Sequence, residues 1–222
     1  MKHWCLFFLM LPMITMGQRM GNIIIDRRAL PPLPAIDHTV ESSLKALPGY
    51  HKLNKEQGEW FYWTNYSRKN PRRFWDSVVT PILAVYPQFK NEFSASLKKD
   101  LYTSASLPQL VPSNQLEDVA QEHAEALASK SALPSHTSPN GHTFQARMEK
   151  ANIKKCAGEN ISFGPANTVF ALVLLYLDQG VPDLGHRKSL LNPNFTEMGI
   201  GISSYPENRR MVVQDFSCNQ SL

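Results

Sequence analysis

The chain has 222 residues, 42% of them hydrophobic and 19% charged, with a formal net charge of +4. That balance suits a folded protein with one sizeable core and excludes a disordered chain. The basic excess is mild, and its Lys and Arg are scattered, in pairs such as Arg72-Arg73 and Lys98-Lys99 rather than in a run, which argues against nucleic acid as a partner.

The N-terminus reads as a targeting segment. Lys2 and His3 precede an apolar stretch from Trp4 to Met16, and the small residues Thr15 and Gly17 stand just before Gln18. This is the pattern of a secretory signal peptide over residues 1–17, cleaved near Gly17/Gln18, and its apolar part is too short to span a bilayer. No other apolar run reaches about 18 residues, so the mature chain is expected to carry no transmembrane anchor. The expected location is secreted or periplasmic. Cys5 falls within the cleaved segment, which leaves Cys156 and Cys218. Export permits a disulfide, and two remaining cysteines fit one.

Residues 18–55 read as a leader or linker, with Leu30-Pro31-Pro32-Leu33-Pro34 held extended by its prolines. A domain over residues 56–222 follows. It opens on the aromatic cluster Trp60, Phe61, Trp63 and Tyr66, read as core packing, or as part of an apolar groove if exposed. Asn70-Pro71 restarts a helix that runs from Arg72 to Tyr86, with Pro81 as a kink. Residues 105–111 form a loop. Asn114 and Glu117 resemble a capping box for the next helix. Its apolar face is Leu116, Val119, Ala120, Ala124, Leu127 and Ala128, with His123 on the same face as a hydrogen-bonded core residue. Residues 133–142 are a loop with an Asn140-Gly141 turn, and Thr143 caps a short helix through Ala151.

Ala157-Gly158-Glu159-Asn160-Ile161 reads as a turn leading into a short strand at 161–163. The helix from Thr168 to Leu177 is apolar nearly all round, hence buried on most faces, and Gly180 and Pro182 end it. Residues 198–202 and 211–216 form a β-hairpin whose Gly199 and Gly201 let another element come close. Helices around a small late sheet make the fold class α+β, in an α-β-α arrangement.

Four polar residues stand at loops or element ends: His136, Glu159, Asp178 and His186. Imidazole and carboxylate groups in this number suit a divalent cation such as zinc, or general acid/base work. The plainer alternative is that they fix loops by hydrogen bonds. There is no Gly-x-Ser-x-Gly, no His-Glu-x-x-His and no phosphate loop; Ser135 and Ser162 are the serines nearest the candidates.

The order Ser135-His136-Thr137, Ala157-Gly158-Glu159-Asn160-Ile161, Gly185-His186-Arg187, Leu190-Leu191-Asn192-Pro193 and Gly199-Ile200-Gly201 resembles the CAP superfamily of cysteine-rich secretory, antigen 5 and pathogenesis-related proteins, in a short bacterial form. The resemblance runs from about Glu56 to Phe216. It implies a three-layer α-β-α sandwich with a small antiparallel sheet, export, and a cleft lined by two histidines and two acids. It maps His136, Glu159 and His186 onto three cleft positions; for the fourth, Asp178, Gln179 and Asp183 compete. Family members carry varied activities. The expected function is a binding or interaction module for a small ligand, lipid or cell-surface component. A metal- or serine-dependent hydrolase, with Glu159, His186 and His136 as its acid/base groups, is the alternative, and lipid or sterol binding the third reading.

Overall fold

The computed structural model describes residues 28–220, so the signal-peptide expectation and its cleavage point before Gln18 lie outside the described residues. Within them the sheet has four strands in the order β1–β3–β4–β2: β1 (Val111–Pro112), β2 (Ala157–Pro165), β3 (Glu197–Tyr205) and β4 (Arg209–Ser217). β3 and β4 are the expected hairpin. Glu207 and Asn208 sit in its turn at φ 63° and 57°, the left-handed pair that a tight hairpin needs. β2 runs antiparallel to β4, and the two-residue β1 runs parallel to β3.

β2 is longer than expected. Glu159 and Asn160 are strand residues, opposite Asp215 and Gln214, and not part of a turn. Polar residues are tolerated there because each finds a buried partner: Asn160 Nδ2 donates to the His186 carbonyl, and Glu159 is ion-paired.

The two faces of the sheet bury different things. One packs against helix α6 (Asn114–Ser129), through Ala120, Ala124 and Leu127 against Ile161, Met211 and Val213. Gly199 and Gly201 point into this face, and a Cβ on Gly201 would overlap the Ala120 carbonyl of α6. The other face presents Met198, Ile200, Val212 and Phe216 to the main core, with helices α2 (Lys55–Lys69) and α8 (Thr168–Leu177) behind it. The architecture is therefore an α-β-α sandwich in the α+β class.

α2 is buried on nearly all sides because further helices cover it. α1 (His38–Lys45) contributes Val40 and Leu44, and α5 (Glu92–Thr103) contributes Leu97 and Leu101. α1 lies in the stretch read as leader. Asp37 caps it, accepting from Thr39 N and Val40 N, and Val40 and Leu44, four residues apart, bury one stripe. The leader before it is extended and tied to the domain: Arg28 Nη1 donates to Val85 O, and Tyr86 Oη donates to Arg28 O. α5 opens on a capping box between Asn91 and Ser94. Trp60, Phe61, Trp63 and Tyr66 are interior residues, so they form no exposed apolar groove.

The helix expected over 72–86 is built in three parts, α3 (Pro71–Phe74), a π turn at Trp75–Val79, and α4 (Thr80–Val85). Pro81 lacks an N–H, and its ring would strike the carbonyl four residues back in a regular helix. The chain widens instead, with Thr80 N donating to Trp75 O, five residues back. α6 begins after Ser113, and Glu117 is not engaged in a capping box; it accepts from Gln57 Nε2. Arg68 of α2 is fully buried and donates to the carbonyls of Pro108, Leu190, Asn192 and Phe195, stitching the Leu-Asn-Pro segment to the core. Cys156 and Cys218 form a disulfide that joins the end of β4 to the residue before β2.

Candidate functional site

The site is assembled around Glu159, whose side chain is 1% exposed. Strand alternation points it toward the α6 face, where the loop after α6 and helix α7 (Phe144–Lys150) close over it. That loop is a small folded unit. Thr137 bridges Thr143, Ser138 N donates to His142 O, and Gly141, at φ 88°, returns its N–H to Ser138 O. The Asn140-Gly141 turn thereby aims His136 inward, and its Nδ1 donates to Glu159 Oε1 at 2.7 Å. Arg147 of α7 donates to Glu159 Oε2 through Nη2. Through Nη1 it also donates to His136 O, Ser138 Oγ and His142 O. One guanidinium therefore both neutralises Glu159 and holds the loop that carries His136.

His123 lies under this loop, fully buried. Its Nε2 is 2.9 Å from Ser135 O, a group that only accepts, so Nε2 carries the proton. Nδ1 then accepts from Ser138 Oγ at 2.8 Å. Burial pushes the imidazole below its usual pKa; the Glu159 charge opposes this, and Arg147 adds to it. Glu159 Oε2 stands 3.8 Å from Nε2, beyond hydrogen-bond reach. His123 is thus the hydrogen-bonded core histidine that its place on an apolar face suggested. Asp215 of β4 lies directly across from Glu159, also fully buried, and burial together with the Glu159 charge pushes its carboxyl well above the usual range.

A second imidazole–acid pair forms where α8 ends. Asp178 caps α8 at φ 52°, and helix α9 (Gly185–Leu190) begins after Leu184, at φ 53°. His186 Nδ1 donates to Asp178 Oδ1 at 2.5 Å, and Arg187 N donates to Asp178 Oδ2 at 2.8 Å. The Arg187 side chain turns away, donating to Tyr176 O, Leu177 O and Phe93 O, and so locks the α8–α9 corner against α5. Of the three residues that competed for the fourth place, Asp178 is the one bonded to a histidine; Gln179 accepts from Asn91 Nδ2, and Asp183 is exposed.

The four sequence candidates are therefore two pairs, His136–Glu159 and His186–Asp178. β2 touches the surroundings of both: Glu159 leaves one face of the strand to meet His136, and Asn160 leaves the other to reach the His186 carbonyl. As one set of ion ligands they do not fit. Glu159 already accepts from His136 and Arg147, and Asp178 from His186 and Arg187 N. Among the described residues no group of three or more His, Cys, Asp or Glu is placed to hold a metal ion. Of the serines near the candidates, Ser135 Oγ accepts from Thr137 N, and Ser162 is a buried strand residue. A cavity of about 470 Å³ lies beside α7 and Cys156, lined by Phe144, Met148, Ile153 and Lys155, and contains neither paired histidine.

Arg147, Ser138 and Asp215 were missed from sequence. Two of them left a signal. Arg147 falls three residues after Phe144, on the inward side of its helix, and Asp215 continues the inward alternation of Met211 and Val213.

The family model described as "Cysteine-rich secretory protein family" (CAP) matches residues 62–216. A comparison with curated proteins finds no match. Among solved structures, the chain is similar to an extracellular protein containing an SCP domain from Bacillus anthracis, with 28% identity over 60% of this chain and 40% of that one, at a TM-score of 0.43. The chain thus spans about two fifths of that relative's length. An outer surface protein from Borrelia burgdorferi is 24% identical over 62% of this chain and 91% of its own, with a TM-score of 0.42. Venom allergen-like protein 4 from Schistosoma mansoni is 13% identical over 76% of this chain and 92% of its own, with a TM-score of 0.43.

Proposed function

This chain belongs to the CAP family, and on that premise we propose that it is an exported binding module whose ligand meets two carboxylate-oriented histidines, His136 and His186. The observation that carries this reading is the shared geometry of the pairs: each imidazole commits Nδ1 to a buried acid, at 2.7 and 2.5 Å. A carboxylate on Nδ1 fixes both the tautomer and the angle of a ring. Polar groups held at fixed angles in this way suit a ligand rich in hydroxyl and amide groups, which describes the glycan and peptide components of a cell surface.

Export is supported by the signal-peptide pattern at the N-terminus, by the Cys156–Cys218 disulfide, and by the family itself. The serine-dependent form of the hydrolase alternative lacks support at its nucleophile. The serine held by a histidine, Ser138 on His123, is buried together with that histidine, which leaves a substrate no approach.

The reading is tested by equilibrium binding of soluble oligosaccharides and short peptides to the mature protein, to His136→Ala and to His186→Ala. Binding that weakens about tenfold or more in both variants supports it, since loss of a buried-site hydrogen bond is worth about that factor. Binding that neither substitution changes contradicts it.

A further inference from the structure

Glu159 and Asp215 form a carboxyl pair that the histidine-centred site does not use. They are directly opposed in the antiparallel β2–β4 ladder, so both side chains leave the sheet on the α6 side and neighbour each other. The β3 residue in the same row is Gly199, which contributes no side chain. Among the described residues, three titratable or charged side chains meet the pair. From α7 comes Arg147, bonded to Glu159; from α6 comes His123, 3.8 Å from Glu159 Oε2; from the loop after α6 comes His136, bonded to Glu159 Oε1.

Charge counting then decides the state of the pair. Arg147 supplies one fixed positive charge, and Glu159 takes it; His136 likewise donates to Glu159, and neither group bonds Asp215. His123 supplies none, because its Nε2 proton is given to the Ser135 carbonyl while its Nδ1 accepts from Ser138. Neither oxygen of Asp215 receives a hydrogen bond from any described donor, although both are fully buried. An ionised Asp215 would therefore be a buried anion with no donor, set against a second anion. Both costs vanish if Asp215 keeps its proton, and the acceptor that faces it is the Glu159 carboxylate.

We propose that Asp215 and Glu159 hold one proton between them in the folded protein, with Asp215 as the protonated donor and Glu159 as the carboxylate acceptor. Asp215 is then a positioning residue. Glu159 receives hydrogen bonds from three directions, from His136, Arg147 and Asp215, and its orientation toward His136 is fixed by a proton on the neighbouring strand. Cys218, three residues after Asp215, is bonded to Cys156, three residues before Glu159, so the disulfide pins the two strands just beyond the pair. The inference depends on the Glu159 geometry and not on what the site binds, so failure of the binding reading leaves it standing.

The test is carboxyl-carbon NMR of wild-type protein labelled at Asp and Glu side chains, assigned through bonds from the backbone, across about pH 5 to pH 8. The expected result is an Asp215 carboxyl in the protonated position throughout that range. Asp215→Asn keeps the shape and the donor. It is expected to retain the wild-type melting temperature near neutral pH, with the His136 Nδ1–H signal still present, whereas Asp215→Ala lowers the first and broadens the second. An Asp215 carboxyl that is ionised at neutral pH overturns the proposal whether or not either variant folds. So does an Asp215→Asn protein that folds but loses the His136 Nδ1–H signal.

Discussion

Replacing Cys156 and Cys218 together by serine tests how the sheet is held at the site. The bond closes a loop across a separation of 62 residues that includes β2, α8, α9, β3 and β4. In the chain-entropy picture a loop of that size restricts the unfolded state by roughly 14 cal/mol/K, or about 4 kcal/mol at room temperature. For a protein of this length each kcal/mol moves the melting temperature by about 2–4 °C, so the double variant should melt roughly 8–16 °C lower. The native fold should persist below that temperature, because the ladder that pairs Ala157 with Ser217 and Gly158 with Phe216 is unchanged. The assay is thermal unfolding of the mature wild type with and without reductant, beside the double variant. Reduced wild type should coincide with the variant. A shift under about 2 °C would mean that the unfolded chain is not materially restricted by the bond, and would refute the reasoning.

Gly201→Ala places a methyl group into the α6 backbone at Ala120, and neither the strand nor the helix can yield alone; we expect a loss of about 3 kcal/mol or more, read by denaturant unfolding. Leu44→Ala should cost about 2–5 kcal/mol in the same assay if α1 is part of the fold, whereas a side chain on a mere linker would change stability by less than about 0.5 kcal/mol. His123 has a folded pKa below its unfolded value of about 6.5, so the unfolded chain binds the extra proton and stability falls as pH drops below about 6.5. Melting temperature against pH should show that acid-side decline, and His123→Gln should flatten it; an unchanged slope would mean that His123 is not the group responsible.

Much of this fold is legible in the sequence because its signals are local. The bounds of α8 follow from Asn167 as cap and ten residues of apolar helix, and the β3–β4 hairpin from glycine alternation and a turn. α1 and the β2 segment at Glu159 are less legible. The first is a short amphipathic helix whose support is α2, distant in sequence, and the second puts charged and amide side chains on a buried strand. Such a strand is stable only because Arg147 and the His186 carbonyl meet it, and those partners cannot be inferred from the strand itself. The site shows the same division. His136, Glu159, Asp178 and His186 are visible as polar residues at element ends, and the resemblance to CAP proteins orders them. Their separation into two pairs depends on the pleat of β2, which sends Glu159 and Asn160 to opposite faces. Asp215 becomes relevant only through cross-strand register, which no local pattern encodes.

The central claim is that His136 and His186 are imidazoles oriented through Nδ1 by Glu159 and Asp178 and reached by the ligand. Long-range proton–nitrogen correlation of the two rings in the mature protein, recorded near neutral pH before and after addition of soluble oligosaccharides or short peptides, tests it most directly. The account predicts a proton on Nδ1 of both rings, lost from His136 in Glu159→Ala and from His186 in Asp178→Ala, and a ligand-induced shift of the nitrogen signals of both. Rings protonated on Nε2 alone, or a ligand that binds without moving the nitrogen signals of either ring, would contradict it.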